Sequence, residues 1–213
     1  MAGNALRARR PLVRVRAWLR NREGVAAVEF AMALPVLLTL YLGGYLLCDA
    51  ISCNRKVTIT TRELTDMTTR CPAIISSTTS TDPCAAVTIL AASAQVMVPY
   101  STAATWERIS EVQVTSATQA KVIWSQSNTG ATVANGQGQP LETGDTVTLP
   151  SGMVSTGMMP NPTATPAIAG AYLVVGEVNN AYVPPIGIGN TNAIALYDRV
   201  FMSPRLAAQV PLQ

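Results

Sequence analysis

From Val25 to Cys48 the chain reads VAAVEFAMALPVLLTLYLGGYLLC, and Glu29 is the only charged residue within it. At about 1.5 Å of rise per residue, a helix of this length crosses a hydrocarbon core of roughly 30 Å with some tilt. The segment is long enough to span a membrane, and every fold open to the rest of the chain starts from it. A carboxylate in such a helix costs on the order of 2.5–3.5 kcal/mol at the bilayer centre, and less toward the interface, unless it meets a partner. No Lys or Arg lies within the run to supply one.

The flanks give the span an orientation. Residues 1–24 hold seven Arg and one Glu, a balance of +6, while the remaining eight Lys/Arg and eleven Asp/Glu leave −3, so the net +3 conceals a basic arm and an acidic remainder. A short basic arm beside an apolar helix reads as a topology signal, which argues against nucleic acid as a partner. It places the N-terminus in the cytoplasm and residues 54–213 on the far side. Four Cys and no His suit an extracytoplasmic domain better than a metalloprotein. The expected divisions are a detachable basic leader over 1–24, a membrane helix over 25–48, its extracytoplasmic continuation over 49–70, and a head over 71–213. Pro35 is expected to kink the membrane helix, and Gly43-Gly44 would let another backbone approach closely.

Beyond the membrane, Cys53, Val57, Thr60, Leu64, Met67 and Cys71 recur at helical spacing and predict a helix running to about Arg70. Its many Thr and β-branched residues are weak helix formers, so this half needs something to pack against. The loop from Cys71 to Cys84 contains SSTTSTDP, and a disulfide closing it would contribute about 3 kcal/mol in the chain-entropy model. Cys48 and Cys53 are too poorly placed on one helical face to pair with each other, which leaves them free, paired elsewhere or intersubunit. Asp82 as N-cap and Pro83 at the first helical position predict a second helix over AAVTILAASAQVMV. The runs EVQVTS, KVIWSQ, DTVTLP, AYLVVGEVNNAYVPP and NAIALYDRVFM read as strands separated by turn-rich sequence such as SNTGATVANGQGQ. The fold class is α+β: a long N-terminal helix packed over its second half on a small antiparallel sheet, with a second helix between.

The chemistry gathers at the start of the apolar run. A cut after Gly24 would create an α-amino group with an unperturbed pKa of about 7.7–8.0, and Glu29 would be the fifth residue of the new chain. In one subunit the two groups lie about a helical turn apart; between staggered subunits they would pair directly. A basic leader ending in Gly24, then VAAV, then Glu29 and Phe30, resembles the class III signal of type IV pilins and pseudopilins. VAAVEFAMALPVLL, with Pro35 five residues after Phe30, resembles the TadE/TadG-like pseudopilins, or minor pilins, of the tight-adherence (Flp) pilus apparatus. The stretch AYLVVGEVNNAYVPPIG and the later DRVFMSPR resemble the end of that family's domain more loosely. The resemblance implies a pilin-like fold, cleavage between Gly24 and Val25 by a membrane prepilin peptidase, and a role for Glu29 and Phe30 in assembly. It implies a minor subunit of an adhesive Tad/Flp pilus. Its partners would be the inner-membrane assembly platform, the ATPase acting through it, and other pilins and pseudopilins. The subunit would lie in the inner membrane with its head in the periplasm, or enter the extracellular pilus.

The competing reading is an envelope protein anchored by an uncut helix whose head binds a ligand or a surface. Enzymatic function is poorly supported: His, the commonest general base, is missing, and the spacing of Glu107, Glu111, Asp145, Glu177 and Asp198 establishes no pairing. Trp106, Trp124 and Tyr182 read as packing residues, and neither a cofactor nor a metal site is expected.

Overall fold

The computed structural model describes residues 24–103, 105–128, 140–186 and 192–213. The basic leader and most of the turn-rich SNTGATVANGQGQ stretch lie outside the described residues. One helix, α1, runs from Val25 to Thr69, continuous through Pro35, and the chain divides into two compact units between Leu47 and Cys48.

In the first unit α1 is apolar on every side. Val36, Leu37 and Leu38 are consecutive and 53–64% exposed, as are Leu40 and Tyr41 at 73% and 71%. Consecutive residues point about 100° apart, so no face of this half is covered. A helix that is hydrophobic all round belongs inside a core or a membrane. Its length and composition suffice to cross a bilayer, as suits a membrane-anchored protein.

The second unit, from Cys48 onward, is α+β. Two short helices follow α1, α2 (Ala86–Ala91) and α3 (Ser93–Met97), then β1 (Thr105–Val114), β2 (Gln119–Ser127), β3 (Thr146–Thr148), β4 (Tyr172–Tyr182) and β5 (Ile194–Met202). The strands form one antiparallel sheet in the order β3-β2-β1-β4-β5, so β1 is central. One face meets the second half of α1. There Cys53, Val57 and Leu64 pack with Ile109, Trp124, Val174, Val178 and Tyr182, joined by Ile89, Leu90 and Met97 from the short helices. The other face carries Val112, Val114, Ala120, Val122, Val147, Leu149, Leu173 and Val175, covered in part by Met153, Val154, Met158 and Met159 from the β3–β4 connection. Alternation along β1 and β4 sorts residues between these two layers.

The buried stripe of α1 is broader than the apolar spacing alone predicts. Thr61, Thr65, Thr68 and Thr69 join Thr60 in full burial, while Met67 is only partly covered. Threonine is tolerated here because its hydroxyl bonds back along the helix: Thr61 Oγ1 donates to Val57 O at 2.9 Å, Thr65 to Thr61 O at 2.6 Å and Thr68 to Leu64 O at 2.8 Å. Small side chains also let the helix lie close on β4. A Cβ on Gly176 would overlap the Thr65 side chain and press on the Thr61 carbonyl.

Two expectations differ from the structure. Asp82 does not cap a helix; its Oδ1 accepts from the Cys84 amide at 2.7 Å in a local turn, α2 begins at Ala86, and the helical run is interrupted at Ala92. The central strand starts at Thr105, six residues before EVQVTS, and takes Glu107 and Arg108 into the interior. Cys71 and Cys84 are joined by a disulfide, and Cys48 and Cys53 are free.

Candidate functional site

The residues singled out at the start of α1 stand in the open. Gly24 and Glu29 are exposed, Val25 is 51% and Phe30 62% exposed, and Glu29 makes no hydrogen bond or ion pair among the described residues. Pro35 removes one N–H from the ladder, and Thr39 Oγ1 donates to Val36 O at 2.9 Å just beyond it. A Cβ at Gly43 or Gly44 would meet nothing, so this part of the helix is open to a neighbouring backbone.

Residues 24–63 match the family model described as TadE-like protein. The N-terminal segment is TadE-like. The matched stretch takes in Gly24, Glu29, Phe30 and Pro35 and continues through Cys53 and Val57 to Glu63, so it covers both the exposed half of α1 and most of its buried half. The match stops short of the sheet, and the looser likeness over residues 171–205 rests on those residues alone. No curated protein and no solved structure matches the chain.

Where α1 enters the head, a polar joint forms that spacing did not reveal. Tyr182 Oη donates to Asp49 Oδ2 at 2.6 Å, and Tyr100 Oη lies 3.0 Å from Oδ1 and 3.1 Å from the Asp49 carbonyl. The two rings meet edge to face at 6.4 Å. One turn further, the Cys53 thiol lies 3.8 Å from Asn180 Oδ1, and Asn180 Nδ2 donates to Thr105 Oγ1 at 2.6 Å and to Ser101 O at 3.0 Å. Burial, with Asp49 nearby, pushes the Cys53 thiol upward, so it stays protonated and behaves as a packing residue. Burial and the Asp49 carboxylate likewise raise Tyr100 and Tyr182, keeping both as donors. The sequence signal was available only as Tyr residues flanking strand and loop; their convergence on Asp49 is a product of the fold.

The carboxylates without visible partners in the sequence separate into distinct environments. Glu177 is directly opposite Arg108 on β1 and Arg199 on β5. Arg108 holds Glu177 Oε2 through a salt bridge, with its Nε at 2.6 Å, while Arg199 Nε and the Tyr197 hydroxyl reach Oε1 at 2.7 and 2.6 Å. On the opposite face Glu111 accepts from Trp124 Nε1 at 3.1 Å and from the Val210 amide, fastening the C-terminal segment to the sheet. Glu107 is buried and neither of its oxygens is hydrogen-bonded. Trp106, Trp124 and Tyr182 are buried at 4–5% exposure, in packing roles. Asp145 and Asp198 make only local bonds, with the Glu142 and Arg199 amides. Among the described residues no cluster of His, Cys, Asp and Glu is placed to hold a metal ion.

Proposed function

We propose that this protein is a pseudopilin-like minor subunit taking part in assembly of a Tad/Flp pilus for surface adhesion. The carrying observation is the TadE-like foot of α1: Gly24 and Val25 are exposed where an apolar, uncovered helix begins, and Glu29 stands five residues after Gly24 with no hydrogen bond or ion pair among the described residues. A prepilin peptidase cuts between Gly24 and Val25 on the cytoplasmic side. The new α-amino group then lies within reach of the Glu29 carboxylate of a neighbouring subunit, where an ion pair shielded from water offsets the cost of holding a charge in lipid. Phe30 and the surrounding apolar surface pack against other pilins or lipid, and Pro35 leaves a local weak point in the helix. The inner-membrane platform receives the subunit with its head in the periplasm, and the chain acts structurally, without enzymatic activity.

The deciding measurement is the intact mass and N-terminal sequence of protein purified from its native membrane. A start at Val25 is the expected result. A start at Met1 or Ala2 overturns the processing step and favours an uncleaved, signal-anchored envelope protein whose head binds a ligand.

A further inference from the structure

Glu107 opens onto a cavity that none of the pilus-assembly roles uses. The cavity has a volume of about 470 Å³, within the range that holds small molecules. It is lined by Ser76, Ser77 and Thr78 of the disulfide-closed loop, by Gln126 and Ser127 at the end of β2, and by Asn128 just beyond it. Val87 and Leu90 of α2 supply apolar lining, and Glu107 near the start of β1 also lines it.

These walls are held in place. The Cys71–Cys84 bond closes the loop, Ile75 N donates to Cys84 O at 3.0 Å, and Ala86 N donates to Ile75 O at 3.0 Å. Asn128 is fixed by its Oδ1, which accepts from the Glu107 amide at 2.8 Å, and by its Nδ2, which donates to Thr105 O at 3.2 Å. Glu107 itself is 1% exposed, and both carboxylate oxygens are buried without a hydrogen-bond partner. A buried, unsatisfied carboxylate is strongly disfavoured unless a donor or a cation meets it. Ser93, also at the cavity, partly offsets the effect of burial on this group without reaching hydrogen-bond geometry.

Among the described residues the chain supplies no cation at this place. None of the lining residues is Lys or Arg, and Glu107 is the only titratable group among them, counting those from the loop, α2, α3 and β2. Residues 129–139 and 187–191 contain no Lys or Arg either. Arg108, the next residue, points to the other face of the sheet and is engaged with Glu177. A counter-ion for the ionised form of Glu107 therefore has to come from outside the described residues, and the hydroxyl and amide groups that line the cavity suit a ligand with several hydroxyls.

We propose that this cavity binds a small polyhydroxylated molecule carrying a primary ammonium group, with Glu107 as the counter-ion. A rotation of the Glu107 side chain that brings its buried oxygens into the cavity lets the ammonium donate to them, while the carbon chain lies along Val87 and Leu90 and the ligand's hydroxyls meet Ser76, Ser77, Gln126, Ser127 and Asn128. The site depends on the head alone and holds whether or not the leader is cleaved.

Glucamine and sorbitol form a matched pair of probes, differing only in an ammonium or a hydroxyl on the terminal carbon. Calorimetric titration of the full-length protein in detergent micelles at pH 8 is expected to show glucamine binding at least about tenfold more tightly than sorbitol. Affinity for glucamine should fall at pH 6, where Glu107 takes up a proton, and Glu107→Gln should reduce glucamine to the level of sorbitol. Equal affinity for the two probes, absence of glucamine binding, or a Glu107→Gln variant that still prefers glucamine each overturns the proposal. The two probes on the wild-type protein decide it even where the variant fails to fold. N-terminal sequencing of the same sample reports separately on processing.

Discussion

Glu107, Glu111 and Glu177 are all at most 2% exposed, yet their surroundings act on them in opposite directions. Burial raises Glu177, but the Tyr197 hydroxyl and the Arg108 and Arg199 guanidiniums outweigh it and hold the carboxyl below its usual range. The stability this contributes is complete above the unfolded value of about 4.3 and is lost as pH falls through the lower folded value. Tyr197, buried against Glu177, is in turn pushed up to about 12 and remains a donor. Glu107 has no such partners, and burial lifts it to about 7. The folded head keeps a proton there that the unfolded chain has already released, so stability declines as pH rises from about 4.5 through 7, by about 3 kcal/mol in all. Burial raises Glu111 too, with the same sign. Without added ligand, the melting temperature of the micelle-bound protein should therefore drop between pH 5 and pH 8. Glu107→Gln should shrink that drop by roughly 5–10 °C. A variant that melts with the wild-type pH slope would show that the loss arises elsewhere.

At the level of elements, the contact between α1 and β4 depends on side chains being small. Gly176 pairs with Ile109 across the sheet and lies beneath Thr61 and Thr65, where no Cβ fits. Gly176→Ala should cost about 1–3 kcal/mol through forced separation of helix and sheet. Because the nearest obstacle is the Thr65 hydroxyl, Thr65→Ala in the same chain should recover part of that loss. Chemical denaturation of the single and double variants checks both statements, and additive losses would remove the proposed contact. The same comparison shows why some elements were legible in the sequence and others were not. The helix from Val25 was readable nearly to its last residue, because its apolar run and later stripe are local patterns. The first half of β1 was not, because TWERIS carries Glu107 and Arg108, which look like surface residues until β4 and α3 are in place around them. The start of α2 was misjudged for a related reason: Asp82 had a nearer amide to bond, that of Cys84. Carboxylate partners were equally invisible, since Arg108, Glu177 and Arg199 become neighbours only through the register of three strands.

Across the whole molecule, the first unit presents exposed apolar surface without a core, while the packed core lies in the second. Every large hydrophobic residue described between Val25 and Leu47 that is strongly exposed lies on α1, while the buried core begins at Cys53. A chain beginning at Cys48 retains Asp49, the disulfide and the full sheet. Secreted into an oxidising compartment, it should be a soluble protein that unfolds in one cooperative transition, whereas the longer chain requires detergent or lipid. Aggregation of the shortened chain would mean that the head needs the first half of α1. The opposite substitution isolates that first half. Glu29 makes no hydrogen bond or ion pair among the described residues, so Glu29→Val should leave head folding, membrane insertion and abundance unchanged and remove the one charge of the apolar run, whose cost in lipid is on the order of 2.5–3.5 kcal/mol at the bilayer centre. Piliation, counted by electron microscopy in cells carrying only the variant, should fall even though the variant sits more easily in lipid. Normal piliation would show that subunits find their register through apolar packing alone, and the carboxylate would then have no part in assembly.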